Sequence, residues 1–455
     1  MTEEKRSTGG CPVDHDQLTA EDLARLPTPP GEDGPPVVGK TLQFIGSSDT
    51  FARTMREKYG RTFYAKVLGS RTVFCNTPEV NRWIFTGEND YLQNRWSQPI
   101  RTLIGRDSVA ALQGDAHRKR RAVLNPHFKY EQMDAFIPTI RDTIERYLEA
   151  WAAQDTIVSA TANRNLAFEI ICSYVFGDID DLPLSSLRDN FMQWTRGIFS
   201  AGINLPFTRY GQALQARERL WNQLTGIVNS RQHDDLPPSV LRSLFELKDS
   251  DGLSIDTIVD EIQILLFAGH DTTVSALTNI LVLLAQHSDV VEKARAEQAA
   301  VDPANLTTSR GLKNYPYMDA IIYEGMRLHA PVRGSFREMT EDRCFDGYRI
   351  PAGWTVSLRI AGTHRSEHLW DQPDAFHPER FIENEHKKTP FMYIPFGGGP
   401  RLCLGQNFAM TVMRLTLACL LRDYRWQLLP DQNLVVQVLP TPLPKDGGLL
   451  RFERL

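Results

Sequence analysis

Cys403 stands in the decapeptide Phe396-Gly397-Gly398-Gly399-Pro400-Arg401-Leu402-Cys403-Leu404-Gly405, a lone cysteine on a glycine-rich loop with a cation two residues before it. That arrangement suits the offer of one thiolate to a haem iron, whose added electron density favours O–O bond cleavage. Gly399 and Gly405 admit close backbone approach and unusual dihedrals. Arg401 can pair with a haem propionate, and Phe396 can shield the sulfur. The competing reading is structural, because glycine-rich loops are common and most free cysteines are small buried hydrophobes. A second cluster, Ala268-Gly269-His270-Asp271-Thr272-Thr273, interrupts a segment that begins near Ser254 and is apolar on nearly every face. Such a segment reads as a buried helix, in which polar groups are expensive without partners or a purpose. Gly269 leaves room for a diatomic ligand. The Thr272 hydroxyl can bond back to the Ala268 carbonyl and bend the helix locally, opening a groove for O2 and water. The plainer alternative is a satisfied helical threonine beside a solvated aspartate, with His270 at the surface or behind the site.

The cysteine loop, F-x-x-G-x-R-x-C-x-G, resembles the haem-binding loop of the cytochrome P-450 monooxygenases, and the helical interruption resembles their A/G-G-x-D/E-T-T/S signature. The resemblance implies that Cys403 is the axial ligand of haem b, that Thr272 acts in oxygen activation and that Asp271 relays protons. Glu324-Gly325-Met326-Arg327 matches the family's E-x-x-R, whose i, i+3 spacing puts both side chains on one helical face. Phe376-His377-Pro378-Glu379-Arg380-Phe381 matches its P-E-R-F segment. Glu324, Arg327 and Arg380 are thereby implied to form a structural ion triad that locks the cysteine loop. His117 and Arg121 fit H-x-x-x-R, and with Arg337 and Arg401 they are implied to meet the haem propionates. LLFAGHDTT, RLHAPVRGSFRE and PTPLPKD look most like the retinoic-acid hydroxylases of animals and their cyanobacterial relatives. Arg333-Gly334-Ser335 departs from the more glycine-rich run of those relatives. Candidate substrate-lining residues are Trp96, Leu103, Phe267, Ala268, Val332, Phe336 and Pro442; Arg333 reads as an exposed loop arginine or a partner for a substrate carboxylate.

The implied reaction inserts one atom of O2 into a C–H bond of a terpenoid, retinoid or fatty acid, with NAD(P)H electrons arriving through a separate ferredoxin or flavodoxin and its reductase. About fifty residues follow Cys403, too few for a fused flavin reductase. The run Arg118-Lys119-Arg120-Arg121 is either a solvated helix face or a dock for that acidic carrier. An H2O2-dependent peroxygenase and a haem-thiolate isomerase are disfavoured by Asp271-Thr272. A non-catalytic haem-binding sensor has only Cys11-Pro12 in its favour.

The elements that must hold these residues are mostly helical. The 455 residues carry a net charge of −5, which gives no reason to expect a nucleic-acid partner. No run of about twenty apolar residues suggests a spanning helix, and no apolar segment opens the chain. The cysteines, at 11, 75, 172, 344, 403 and 419, form no C-x-x-C pair, which suits a soluble, cytoplasmic, bacterial protein. Cys172 and Cys419 read as core, and Cys11 with His15 as half a metal site or part of a polar arm. Residues 1–35 read as a flexible arm ending in a proline-rich hinge, and 36–455 as one monomeric domain. Arg61 to Cys75 alternates around a Gly-Ser turn, as a hairpin does. Residues 115–300 follow a helical period, including a helix over 131–152, and strand-like text returns at 343–361 and near the C-terminus. The expected fold is mainly α with a small β-rich lobe and a long central helix over haem.

Overall fold

The computed structural model describes residues 18–231, 236–251 and 253–455. They form two compact units, each assembled from separate stretches of chain. The first takes the described residues up to Arg95 together with Arg333–Pro373 and Thr389–Leu402; the second takes Trp96–Val332, Asp374–Lys388 and Cys403–Leu455.

The first unit is built on a six-stranded sheet. The expected hairpin is there, with Phe63–Val67 antiparallel to Ser70–Phe74 and Leu68 and Gly69 at positive φ in the turn. Its alternation has a physical cause: Phe63, Ala65 and Val67 are buried while Tyr64 and Lys66 are not, and side chains on a strand point to opposite faces in turn. Ring stacking of Phe63 on Phe74, centroids 5.4 Å apart, joins the two strands to a core that includes Phe51 and Met55. Thr355–Leu358, Ser335–Met339 and Leu92–Asn94 extend the sheet beyond the hairpin. On its other side Gly31–Glu32 pairs in parallel with Phe63–Val67. Among the described residues, regular structure is therefore present well before residue 36. A helix, Ala20–Arg25, precedes that strand, and its Thr19 and Asp22 close a capping box. Cys11 and His15 lie outside the described residues.

The second unit is helical, with a three-stranded sheet in the order Tyr424–Leu428, Leu449–Arg454, Thr156–Val158. The last of these strands breaks the helical stretch expected over 115–300. The helix expected over 131–152 runs instead over Ile137–Ala153, after a short 3-10 segment, Tyr130–Ala135. Pro138 explains the shift, since proline fits the first turn of a helix and not its interior. The longest element is Ile255–Gln286, started by the Ser254 side chain accepting from the Thr257 N–H. Cys172 and Cys419 are both core residues. Among the described residues no single helix is long and apolar enough to cross a membrane.

Candidate active site: a cysteine loop and an interrupted helix

Within the helical unit, Cys403 precedes the helix Gln406–Asp423. Its side chain is accessible, yet surrounding protein pushes the thiol above the usual cysteine range, opposed by the Gly405 N–H and by Arg121. Arg121 and His117 lie one turn apart on Gly114–Leu124, and His117 is buried. The buried Nε of Arg121 has no hydrogen-bond partner among the described residues. Desolvation lowers the pKa of this guanidinium, and Cys403 is the one group that opposes the shift. A desolvated N–H of a cation without an acceptor is unfavourable, so this corner fits a prosthetic group whose metal would hold the Cys403 sulfur as a thiolate and whose carboxylates would meet Arg121. Gly405 has an ordinary φ of −85° and open space where a Cβ would stand. The protein's own packing does not demand glycine there, in contrast to the sequence expectation.

The long helix is buried along most of its length, but Phe267, Ala268, Gly269, Asp271 and Thr272 are partly or fully accessible in its middle. Thr272 Oγ1 donates to the Ala268 carbonyl at 2.6 Å, as expected. Gly269 also has a packing role that the sequence did not show. A Cβ there would stand 2.6 Å from Ile171 Cδ1, so the missing side chain makes room for the neighbouring helix Ser159–Phe176. His270 is not at the surface: it is fully buried, with Nδ1 2.6 Å from Asp271 Oδ1 and Nε2 3.0 Å from the Arg164 carbonyl.

The triad residues come together in the same unit. Arg327 Nε and Nη2 donate to Glu324 at 2.6 and 2.9 Å, and Arg380 Nε donates at 3.1 Å. The His377 N–H donates to the same carboxylate at 2.8 Å, which fastens the P-E-R-F segment directly. All three side chains are sealed from solvent.

In the sheet-based unit, Arg337 and Arg401 converge on a residue that sequence reasoning missed. Glu88, buried at the end of the helix Pro78–Gly87, accepts from Arg401 Nε at 2.6 Å and pairs through its other oxygen with Arg337 Nε. One carboxylate thus faces two guanidiniums. Phe396 is half-buried. Gly399, at φ +62°, would bring a Cβ within 2.6 Å of the Phe85 carbonyl oxygen, so both the dihedral and the close approach require glycine.

The proposed substrate residues have unequal surroundings. Phe267, Ala268, Val332, Trp96 and Phe336 retain accessible surface. Leu103 is fully buried, with its carbonyl accepting from Trp194 Nε1 and Arg217 Nε; in this conformation it offers a ligand no surface. Pro442 is buried, and its carbonyl accepts from Ser275 and Asn279. Arg333 is not an exposed loop arginine, because it pairs with Asp49. Nor is the run 118–121 one face. Arg120 turns inward to the buried Glu261, Arg121 toward Cys403, and only Arg118 and Lys119 are exposed.

A family model described as cytochrome P-450 matches residues 29–443. The chain belongs to the cytochrome P-450 family and is a haem-dependent monooxygenase. It is 36% identical over 441 residues to cytochrome P-450 120 of Synechocystis sp., covering 95% of this chain and 98% of the relative. It is 29% identical over 475 residues to human cytochrome P-450 26C1, covering 96% and 91%. A solved structure of a retinoic-acid-bound cyanobacterial CYP120A1 superposes with a TM-score of 0.88 at 35% identity, covering 94% of this chain and all of that one. The expected family and the mainly α fold with small sheets are both borne out.

Proposed function

We propose that this monooxygenase hydroxylates an unactivated C–H bond of a hydrophobic terpenoid, retinoid or fatty acid, using O2 and electrons passed from NAD(P)H through a ferredoxin or flavodoxin and its reductase. One observation carries the reading: a 32-residue helix, Ile255–Gln286, is buried along most of its length but opens, away from its ends, over a short middle stretch. There the apolar Phe267 and Ala268 stand beside the polar Asp271 and Thr272. An apolar surface and proton-bearing groups, exposed together on one buried helix, suit a reaction that oxidises an apolar molecule and consumes protons. The solved relative with retinoic acid bound makes a retinoid the first candidate among the three classes.

Haem, when bound, supplies the activation of O2 and the oxygen insertion. Cys403 is proposed as its ligand, and His117, Arg121, Arg337 and Arg401 as partners of its propionates. Phe396 would shield the sulfur, and Gly405, through its N–H, would moderate the thiolate's charge. Thr272 and Asp271 hold and pass protons at the accessible stretch. The ion triad of Glu324, Arg327 and Arg380 keeps the P-E-R-F segment in place and takes no part in the chemistry.

The test is direct. The purified holoprotein is titrated with retinoic acid, a sesquiterpene and a long-chain fatty acid, with the low-to-high-spin change of the Soret band as readout. The compound that binds is then turned over with a surrogate ferredoxin and reductase under 18O2. One labelled oxygen in the product supports the proposal. Equal turnover with H2O2 and no reductant would favour a peroxygenase instead, and binding without product a sensor.

A further inference from the structure

His270 has two hydrogen-bond contacts, and neither partner supplies a proton in its ordinary state. Nε2 lies 3.0 Å from the Arg164 carbonyl oxygen, which can only accept. The first ring proton therefore belongs on Nε2. Nδ1 lies 2.6 Å from Asp271 Oδ1, a distance at which an imidazole lone pair and an ionised carboxylate would repel each other. A proton must stand between them, carried by an imidazolium or by a protonated carboxyl group. The pair thus holds one proton more than a neutral histidine and a carboxylate would.

The surroundings keep this geometry fixed. His270 is fully buried, and Phe191 and Phe168 meet its ring edge-on at centroid distances of 5.0 and 6.1 Å. Asp271 is the member of the pair that retains accessible surface, 13% of its side chain. Protons can enter and leave through Asp271 and not through the sealed imidazole.

We propose that His270 is a positioning residue that fixes the Asp271 carboxyl group and keeps a transferable proton between the two side chains. The inference rests on the reading of Asp271 as a proton carrier and adds the element that loads and orients it. In each cycle the pair gives one proton from Asp271 and regains one from water. No electrons move, and His270 touches neither substrate nor haem.

The experiment uses the holoprotein in its diamagnetic ferrous carbon-monoxide form, with 15N-labelled histidine. Wild type should show one exchangeable proton resonance far downfield of the amide envelope, as short hydrogen bonds give, and His270→Phe and Asp271→Asn should each lack it. His270→Phe should also lower product formed per electron pair by tenfold or more, with peroxide making up the difference at unchanged haem content. Absence of the resonance from wild type, or full coupling in His270→Phe, overturns the proposal. Should His270→Phe not take up haem, the comparison of wild type with Asp271→Asn decides. The carbonyl complex separates the two failures. A Soret band without the red shift of thiolate ligation refutes the haem-thiolate reading itself, whereas a normal band without the proton resonance refutes only the pair.

Discussion

Glu324 offers the sharpest test of how the fold holds its site. Its carboxylate accepts from Arg327 Nε and Nη2, Arg380 Nε and the His377 N–H, all between 2.6 and 3.1 Å. Arg327 and Arg380 are 0% and 2% exposed, so neither can turn to water when the carboxylate is lost. Glu324→Ala should therefore leave two guanidiniums in the interior without the carboxylate they share, Arg380 keeping Glu385 at 3.4 Å. Breaking a buried ionic cluster in this way costs about 3–5 kcal/mol, and at 1.4 kcal/mol per decade the folded-to-unfolded ratio falls on the order of a hundred- to several-thousand-fold. The assay is urea unfolding of the holoprotein, followed by circular dichroism and by Soret absorbance. Haem content per polypeptide should fall in parallel, because the triad ties down the segment Phe376–Phe381. A triple variant, Glu324→Met with Arg327→Met and Arg380→Met, separates charge from packing. Replacing a buried ion cluster by apolar side chains is often neutral or stabilising, so the triple variant should recover most of the loss. A loss below about 1 kcal/mol in Glu324→Ala, or a triple variant as unstable as the single one, would refute this account.

Three further outcomes are expected elsewhere in the helical unit. Thr272→Ala, which removes the hydroxyl bonded to Ala268, should retain haem while diverting electrons to peroxide; product and peroxide measured together against NAD(P)H consumed check this. Gly269→Ala should overpack against Ile171 and lower stability by about 1–3 kcal/mol; adding Ile171→Ala, which removes both Cδ1 and Cγ1, should cost less in the Gly269→Ala background than in wild type, as urea midpoints of the four proteins would show. Burial pushes the Glu261 carboxyl up to about 7 from 4.5, against Arg120 and the Val109 N–H. The folded state then binds this proton more tightly than the unfolded state. The stabilisation is complete below about pH 4.5 and is lost as pH rises through about 7, a difference of roughly 3 kcal/mol. Unfolding midpoints measured from about pH 5 to 8 should fall more steeply in wild type than in Glu261→Gln.

What could be read from the chain, and what could not, follows the range of the interactions involved. The hairpin, the start of the long helix at Ser254 and the Glu324–Arg327 pair depend on neighbours a few residues away, and local pattern reveals them. Glu88 carries no such sign, because its partners lie 249 and 313 residues further along and only the folded sheet brings them to it. The proline-rich approach to residue 36 was deceptive for a related reason. Gly31–Glu32 looks like loop by composition, and its order comes from a strand more than thirty residues later.

Two other differences were within reach of the sequence. Consecutive residues on a helix are rotated by about 100°, so four cations in a row cannot share one face, and Arg120, two residues on from Arg118, points inward to Glu261. The same geometry applies to His270. On a helix apolar all round, a polar side chain that turns away from the accessible face is buried, and a buried imidazole needs partners for both ring nitrogens. The variable position of a recognised motif is thus constrained here more tightly than its neighbours. Thr272 and Asp271 face accessible space and can find water. His270 has no water to turn to, so its contacts with Arg164 and Asp271 decide whether the interrupted helix holds a free carboxylate or a loaded one.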